Sequence, residues 1–208
     1  PMSPAEVLPK VKSAATKALD LDDTLSEAHM ALAMVHHVYG DHAEAMAEAD
    51  RSVAVAPLNA QALVLQASLL KNAGRTHEAV VAAERARKLD PLSVNVIAVV
   101  ARALRADGHQ TRAIEELNKA LKMAPQRADL PFQLGVTYAL KGDNKAAIPE
   151  FEKAVKLSTQ GNPRYRAYLG YAYAMDGRTR ESQHLLQELL ALRERQYVSS
   201  FGIALIHD

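Results

Sequence analysis

The hydrophobic positions follow the period of an α-helix through most of the chain. Leu63, Ala67 and Leu70 recur at the i, i+4, i+7 spacing, and Val96 and Val100 keep the same four-residue step. Residues three or four apart lie on one face of a helix, so these stretches predict amphipathic helices. No alternation of hydrophobic and polar residues is long enough to predict a strand. The pattern therefore predicts an all-α protein.

Glycines interrupt the helical pattern at a fixed interval. Gly40, Gly74, Gly108 and Gly142 follow one another every 34 residues, and Gly177 comes 35 residues later. Glycine adopts left-handed backbone angles at little cost and is common where a helix ends. Each glycine therefore predicts the end of one helix. Prolines 17 residues after the first three glycines predict the turn into the next unit: Pro57, Pro91 and Pro125.

Small residues keep the same interval and predict where two helices approach closely. One series comes five residues after the glycines and comprises Ala45, Ala79, Ala113, Ala147 and Ser182. A second series comprises Ser52, Ala86, Ala120 and Ala154. Each unit is therefore predicted to be a helix, a short turn and a second helix. Short oxygen-bearing side chains are expected to cap the second helices: Asp41, Thr76, Thr111, Asp143 and Thr179.

The residue types at this spacing resemble the tetratricopeptide repeat. The fourth copy carries the resemblance most fully, with Leu134, Gly135, Tyr138, Gly142, Asp143, Ala147, Phe151 and Ala154. The earlier copies depart from the family pattern with Ala33, Ala67 and Ala101 where the family often has glycine, and no copy has the family's tryptophan. The resemblance implies a right-handed α-solenoid of antiparallel helix hairpins, the tetratricopeptide superhelix.

We expect residues 1–208 to form a single array of such hairpins. The interval places a partial hairpin at 1–25, five hairpins at 26–59, 60–93, 94–127, 128–162 and 163–196, and a truncated sixth at 197–208. The one-residue insertion falls between Ser158 and Pro163 and predicts a longer turn.

The resemblance also implies a binding surface, because the first helices of stacked hairpins line a concave groove. Such grooves hold a protein or peptide ligand. Projection of the first helices predicts these groove residues: Met30, Met34, His37, Val64, Ser68, Lys71, Asn95, Arg102, Arg105, Phe132, Val136, Arg164, Tyr171 and Met175.

The predicted groove is apolar at its N-terminal end, basic in the middle, and apolar with aromatic residues at its C-terminal end. Methionine surfaces adapt to varied partners, and arginine and tyrosine are common binding anchors. We therefore expect a peptide that carries apolar residues and at least one carboxylate. The alternative is that Lys71, Arg102 and Arg105 are simply solvated charges.

Composition argues against nucleic acid and membranes as partners and bears on the cellular compartment. The formal net charge is +1, which gives no overall field that would attract nucleic acid or an anionic membrane. The longest uncharged run, from Ser52 to Leu70, contains Pro57 and polar side chains and is a poor membrane span. The chain has no cysteine, which is compatible with the cytoplasm. We expect a cytoplasmic protein without direct nucleic-acid or membrane binding.

No set of residues predicts catalysis or a cofactor. His29, His36, His37 and His42 cluster early in the chain, but adjacent histidines point to different faces of one helix, so a metal site is not expected. No nucleophile has a base at a recognisable spacing, and no phosphate-binding glycine motif is present. The sequence therefore predicts a binding protein, not an enzyme.

The two ends of the chain show a narrower resemblance. Residues 17–29 and 197–206 are similar to repeat regions of bacterial signalling proteins. This implies an interaction or sensor module of a larger bacterial regulatory protein. The alternative is a regulatory region that controls an attached winged-helix DNA-binding, Ser/Thr kinase or nucleotide cyclase domain outside these residues.

The last predicted helix carries apolar residues that a following helix would cover. These are Phe201, Ile203, Leu205 and Ile206. Because repeat arrays need polar end surfaces, we expect self-association or capping by a partner at the C-terminal end.

Overall fold

The computed structural model describes residues 4–158, 162–194 and 200–207, except for the side chains of Pro4, Phe201, Leu205 and His207. Within these ranges the chain forms helices and no strand. The helices are α1 (Pro4–Leu21), α2 (Ser26–Tyr39), α3 (His42–Val55), α4 (Ala60–Asn72), α5 (Thr76–Leu89), α6 (Val94–Ala106), α7 (Gln110–Met123), α8 (Asp129–Leu140), α9 (Asn144–Leu157), α10 (Pro163–Met175), α11 (Thr179–Arg193) and α12 (Ser200–His207).

The chain forms two compact units, residues 1–108 and residues 109–208. The boundary lies between α6 and α7, inside the predicted third hairpin at 94–127. The expected single array over 1–208 and its division into hairpins therefore stay predictions.

In the first unit, each helix packs against the next one along the chain from α1 to α6. In addition, α2 contacts α4, and α4 contacts α6. The three first helices of the predicted hairpins are therefore neighbours. We call the surface formed by α2, α4 and α6 the first-unit inner face.

The second unit repeats this arrangement. Each helix from α7 to α12 packs against its successor, and α10 also contacts α8 and α12. The surface formed by α8, α10 and α12 is the second-unit inner face. In both units, contacts between alternate helices bring residues of consecutive hairpins onto one face.

The periodic glycines end the first helices, as predicted. All five have positive φ angles, between 77° and 85°, and no other described residue does. After the glycine the chain turns back, and at Gly40 and Gly177, for example, a backbone hydrogen bond joins the residue after the glycine to the residue five positions earlier. The amide of Asp41 donates to the carbonyl of His36 at 2.9 Å, and the amide of Arg178 donates to the carbonyl of Tyr173 at 2.8 Å. These bonds satisfy carbonyls that the helix end would leave unpaired.

The periodic small residues lie in the helix contacts, as predicted. Both series are buried in every copy. Ala45, for example, is 1% exposed and packs in a cluster with Ala33, Ala49 and Leu69. A Cβ at Gly135 would lie 2.6 Å from the Phe151 ring, so this helix pair also needs a residue without a side chain. Close approach of the helices therefore depends on these positions.

The capping predictions are only partly right. Asp143 does cap α9, since its carboxylate accepts from the amide of Ala146 at 3.0 Å. Asp41 precedes α3 without a side-chain capping bond. Thr76 and Thr179 are the first residues of their helices, and Thr111 is the second of α7. The caps that the sequence analysis missed belong mainly to first helices: Asn59, Ser93 and Asn162.

The last helix has partners within the chain, which corrects one expectation. Ile206 is 8% exposed and packs with Ala167 of α10 and Leu189 of α11, and Ile203 lies against the same cluster. The Ile203 and Ile206 side chains are therefore covered by α10 and α11 and do not need a following helix. The Phe201 and Leu205 side chains, residues 195–199 and the predicted longer turn at 159–161 lie outside the described residues. Self-association through this end stays a prediction.

Candidate functional site

The N-terminal part of the first-unit inner face is apolar. Met34 is 58% exposed. Met30 and Val64 are half-buried and pack against the cluster that includes Leu63 and Val96. Met34 therefore offers the accessible apolar contact here, while Met30 and Val64 mainly support it.

The next predicted residues on this face are polar. The Ser68 hydroxyl donates to the carbonyl of Val64 at 2.9 Å, within its own helix. Asn95 is exposed at the start of α6. Ser68 therefore has its hydrogen bond inside the protein, whereas Asn95 is open to a ligand.

Three cations form the centre of the first-unit inner face. Lys71 lies in the last turn of α4, and Arg102 and Arg105 lie on the last two turns of α6; all three are half-buried. Burial lowers the pKa of Lys71, and the positive charges of Arg102 and Arg105 lower it further. Arg102 and Arg105 therefore each lie close enough to repel the Lys71 ammonium, and we call the three side chains the basic cluster. An anion that approached them would relieve that repulsion.

A chain of polar contacts leads from the basic cluster to α2. The Lys71 ammonium donates to Asn72 Oδ1 at 2.6 Å. Asn72 Nδ2 lies 3.4 Å from His37 Nε2. His37 Nδ1 is buried and has no hydrogen-bond partner among the described residues. His37 is therefore connected to Lys71, although the two lie on different helices.

His37 also lines a pocket of about 280 Å³ within the first unit. Its apolar walls come from Ala43, Met46, Leu69 and Ala73, and its polar lining comes from His37, His42, Asn72 and Arg75. We call it the His37 pocket. Sequence reasoning identified His37 but missed the other lining residues, because they meet across two hairpins and share no face of any single helix.

On the second-unit inner face, the structure corrects the expectation for Phe132. Its side chain is 6% exposed, not open to a groove. The Tyr165 ring stacks on it with 4.6 Å between centroids, and the Tyr168 ring meets it edge-on at 5.1 Å. The Arg164 guanidinium lies 5.0 Å from the same ring centroid. Phe132 is thus a core residue, and the exposed Arg164 covers it.

The other predicted residues of the second unit remain at least partly accessible. Met175 is 57% exposed, Tyr171 is half-buried, and Val136 is half-buried against the aromatic cluster around Phe132. This face therefore offers Arg164, Tyr171 and Met175 as its accessible groups.

The early histidines are engaged in separate interactions. His29 is buried, with Nδ1 2.7 Å from Glu48 Oε2 and Nε2 3.0 Å from the carbonyl oxygen of Asp23. His36 Nδ1 lies 3.3 Å from an Asp41 carboxylate oxygen. No group of three or more potential metal ligands occurs among the residues that the structure describes. None of the described helices is long and apolar enough to cross a membrane.

Helix pairs closed by left-handed glycines and packed through small residues define an α-solenoid repeat protein. The family model described as "Tetratricopeptide repeat" matches residues 64–128 and 100–163. Residues 64–163 therefore carry tetratricopeptide repeats, and the predicted fold class is confirmed. No curated protein sequence gives a significant match.

Solved structures share this fold. The tetratricopeptide repeat protein TTC0263 of Thermus thermophilus has a TM-score of 0.72 at 21% identity, over 82% of this chain and 93% of that one. PilW, a type IV pilus biogenesis factor, has a TM-score of 0.84 at 14% identity, over 98% and 92%. YrrB, described as having an unusual peptide-binding site, has a TM-score of 0.58 at 21% identity, over 74% and 79%. At these identities the likeness shows the fold alone.

Proposed function

We propose that this protein is a binding scaffold, not an enzyme, and that the first-unit inner face holds a peptide segment of a partner protein. The peptide carries apolar residues, which contact Met34, and at least one carboxylate, which binds at the basic cluster. The observation that carries the proposal is the position of Lys71 on α4 near Arg102 and Arg105 on α6, all three half-buried. Burial lowers the pKa of Lys71, and the two guanidinium charges lower it further. Perturbed pKa values are common at functional sites.

The fold supports the same proposal. Tetratricopeptide repeats present the faces of their first helices to partners, and here α2, α4 and α6 are neighbours within one unit. YrrB, which shares the fold, has a peptide-binding site according to its description. Arginines with carboxylate partners form strong, geometrically specific hydrogen bonds.

A displayed library of random peptides tests this proposal. The full chain is used to select binders, and the affinity of each selected peptide is measured by calorimetry. We expect the selected peptides to be enriched in Asp or Glu next to apolar residues. Arg102→Glu combined with Arg105→Glu should weaken their binding by about tenfold or more, since it replaces attraction of the carboxylate by repulsion.

The matched control changes the net charge equally on second helices. Lys88→Glu on α5, at an exposed position, and Lys122→Glu on α7 meet this requirement. Circular dichroism would confirm that both double variants are folded. Peptides without acidic residues, or equal loss of binding in the two double variants, would contradict the carboxylate site.

We further propose that the scaffold is a module of a larger bacterial regulatory protein. The similarity of residues 17–29 and 197–206 to repeat regions of signalling proteins supports this. The alternative, that the repeats control an attached DNA-binding, kinase or cyclase domain, makes a different prediction. In that case, adding the selected peptide to the full-length protein changes the activity of the attached domain. The expected cytoplasmic location stays a prediction.

A further inference from the structure

Two arginines of the second unit lie over aromatic rings, and one of them lacks the carboxylate partner that the other has. The Arg178 guanidinium is 4.1 Å from the centroid of the Tyr173 ring, and its Nε donates to Glu181 Oε1 at 2.8 Å. The Arg164 guanidinium is 5.0 Å from the centroid of the Phe132 ring. Within the described part of the chain, no carboxylate forms an ion pair with Arg164.

The sequence around Arg164 explains this difference. Glu181 follows Arg178 by three residues, a spacing at which side chains of a helix can meet. Three residues after Arg164 the chain has Ala167, and the first turn of α10 contains no acidic residue. A cation in the first turn of a helix also opposes the helix dipole. Helix stability therefore does not account for an arginine at this position.

The acidic residue in the surroundings of Arg164 already has a partner. Burial raises the pKa of the Tyr165 hydroxyl, the charge of Asp129 raises it further, and the charge of Arg164 lowers it. Asp129 and Arg164 therefore act on the same tyrosine. Both oxygens of the Asp129 carboxylate accept from Arg127, at 2.9 and 2.7 Å. Asp129 thus neutralises Arg127 and not Arg164.

The aromatic contacts position the Arg164 side chain and leave its hydrogen-bond donors available. The guanidinium lies over Phe132 and is also 5.9 Å from the centroid of the Tyr168 ring. Contact with a ring does not use the N–H donors, and Arg164 is exposed. A cation that is already positioned loses less freedom when it binds a ligand. Its planar group matches a carboxylate, which accepts two parallel hydrogen bonds from it.

The same face of α10 continues with aromatic and apolar side chains. Tyr171 and Met175 follow Arg164 at intervals of seven and eleven residues, which places them on the same side of the helix. Tyr171 is half-buried and Met175 is 57% exposed. They lie roughly 10 and 16 Å along the helix axis from Arg164, at about 1.5 Å per residue. An extended peptide covers such distances with about three to five residues.

We propose that Arg164 binds the carboxylate of an aspartate or glutamate side chain in a partner protein, and that an apolar residue about three to five positions away contacts Tyr171 and Met175. This site lies in the second unit, goes beyond the proposed function and does not depend on it. The ligand is a side chain, not a chain terminus, because aromatic rings surround Arg164. Ring carbons do not pair the main-chain amide that a terminal residue would bring.

A peptide selection provides the ligands for the test. Random peptides, displayed with their C-terminal ends fused to the carrier, are selected with the full chain and with its Arg102→Glu, Arg105→Glu variant. Peptides enriched in both selections do not depend on the basic cluster. We expect these peptides to contain Asp or Glu with an apolar residue about three to five positions away.

A double-mutant cycle then tests the contact itself. Arg164→Gln in the full chain is combined with replacement of the peptide's acidic residue by its amide, in peptides synthesised as C-terminal amides. Each change alone should weaken binding by roughly three- to tenfold, and both together by little more than either. Arg178→Gln is the matched control, because Arg178 is also stacked on a ring but is paired with Glu181; it should leave binding unchanged. Peptides selected with the unchanged chain suffice for the cycle, so it does not require the Arg102→Glu, Arg105→Glu variant to fold.

Three results would overturn the inference. They are independent effects of the two changes for every selected peptide, equal weakening by Arg178→Gln, and coupling that requires a free C-terminal carboxylate. The data also separate this site from the proposed function. If peptides couple to Arg164 and none is sensitive to Arg102→Glu with Arg105→Glu, the carboxylate site in the first unit is wrong and the Arg164 site is supported. If peptides are sensitive to that double variant and none couples to Arg164, the Arg164 site alone is wrong.

Discussion

Three positive side chains, Lys71, Arg102 and Arg105, share a half-buried region of the first unit. Burial and the two guanidinium charges lower the pKa of Lys71, so the charged lysine is less favourable in the folded chain than in the unfolded chain. By linkage, this lysine reduces stability at pH values below its folded pKa. The reduction disappears as the pH rises through that pKa towards the unfolded value.

Replacement of Lys71 should therefore stabilise the protein. Lys71→Met approximately keeps the length of the side chain and removes the charge, so its free energy of unfolding at neutral pH should exceed that of the parent chain. The gain should shrink as the pH rises through the folded pKa of Lys71. Urea unfolding over a pH series measures both. Lys88→Met, at an exposed position of α5, is the control and should show no comparable gain. A Lys71→Met variant that is less stable than the parent would contradict this account.

Projection of a single helix misplaced a residue whose environment comes partly from a second helix. Met34 and Met175 are exposed, as a groove position requires, while their place in a groove stays a prediction. Phe132 was misplaced because Tyr165, from the next hairpin, covers its ring. The link from His37 to Asn72 also joins two hairpins. Such contacts depend on packing geometry, which periodicity does not specify.

At the scale of elements, the helix pairs depend on small residues where their axes approach. Ala45 on α3 is fully enclosed by residues that include Ala33 and Leu69. Leucine is a good helix former, so Ala45→Leu changes packing without weakening the helix. We expect a loss of about 1–3 kcal/mol in the free energy of unfolding, because the added methyl groups have no space.

The control for this substitution lies two residues further along the same helix. Ala47 is exposed, so Ala47→Leu should change stability by less than about 0.5 kcal/mol. Chemical denaturation of both variants provides the comparison. Equal stabilities of the two leucine variants would show that the close approach of the helices does not depend on Ala45.

Helix ends were predictable where a backbone constraint fixed them. The five glycines indicated the ends of the first helices correctly, because a positive φ angle is costly for other residues. In the three copies that carry threonine, the second helix starts one or two residues earlier than predicted, so the threonines fall inside the helices. Several residue types can precede a helix, as Arg75, His109 and Arg178 do here, and the sequence signal is correspondingly weaker.

At the scale of the whole molecule, the 34-residue interval was sufficient to predict the fold class. The same residue types recur at the same positions in several repeats, so a chance agreement at one position has little effect on the prediction. The candidate site is different, because each of its residues occurs once. The basic cluster was predicted from the sequence, whereas the His37 pocket became visible only when the hairpins of α2–α3 and α4–α5 were placed side by side.

Amide chemical-shift mapping of the ¹⁵N-labelled full chain with an acidic peptide from the library selection locates the binding surface. If the first-unit inner face is the binding surface, the largest shifts will fall on α2, α4 and α6 and will centre on Lys71. Shifts concentrated on α3 and α5, with α2, α4 and α6 unchanged, would contradict the account.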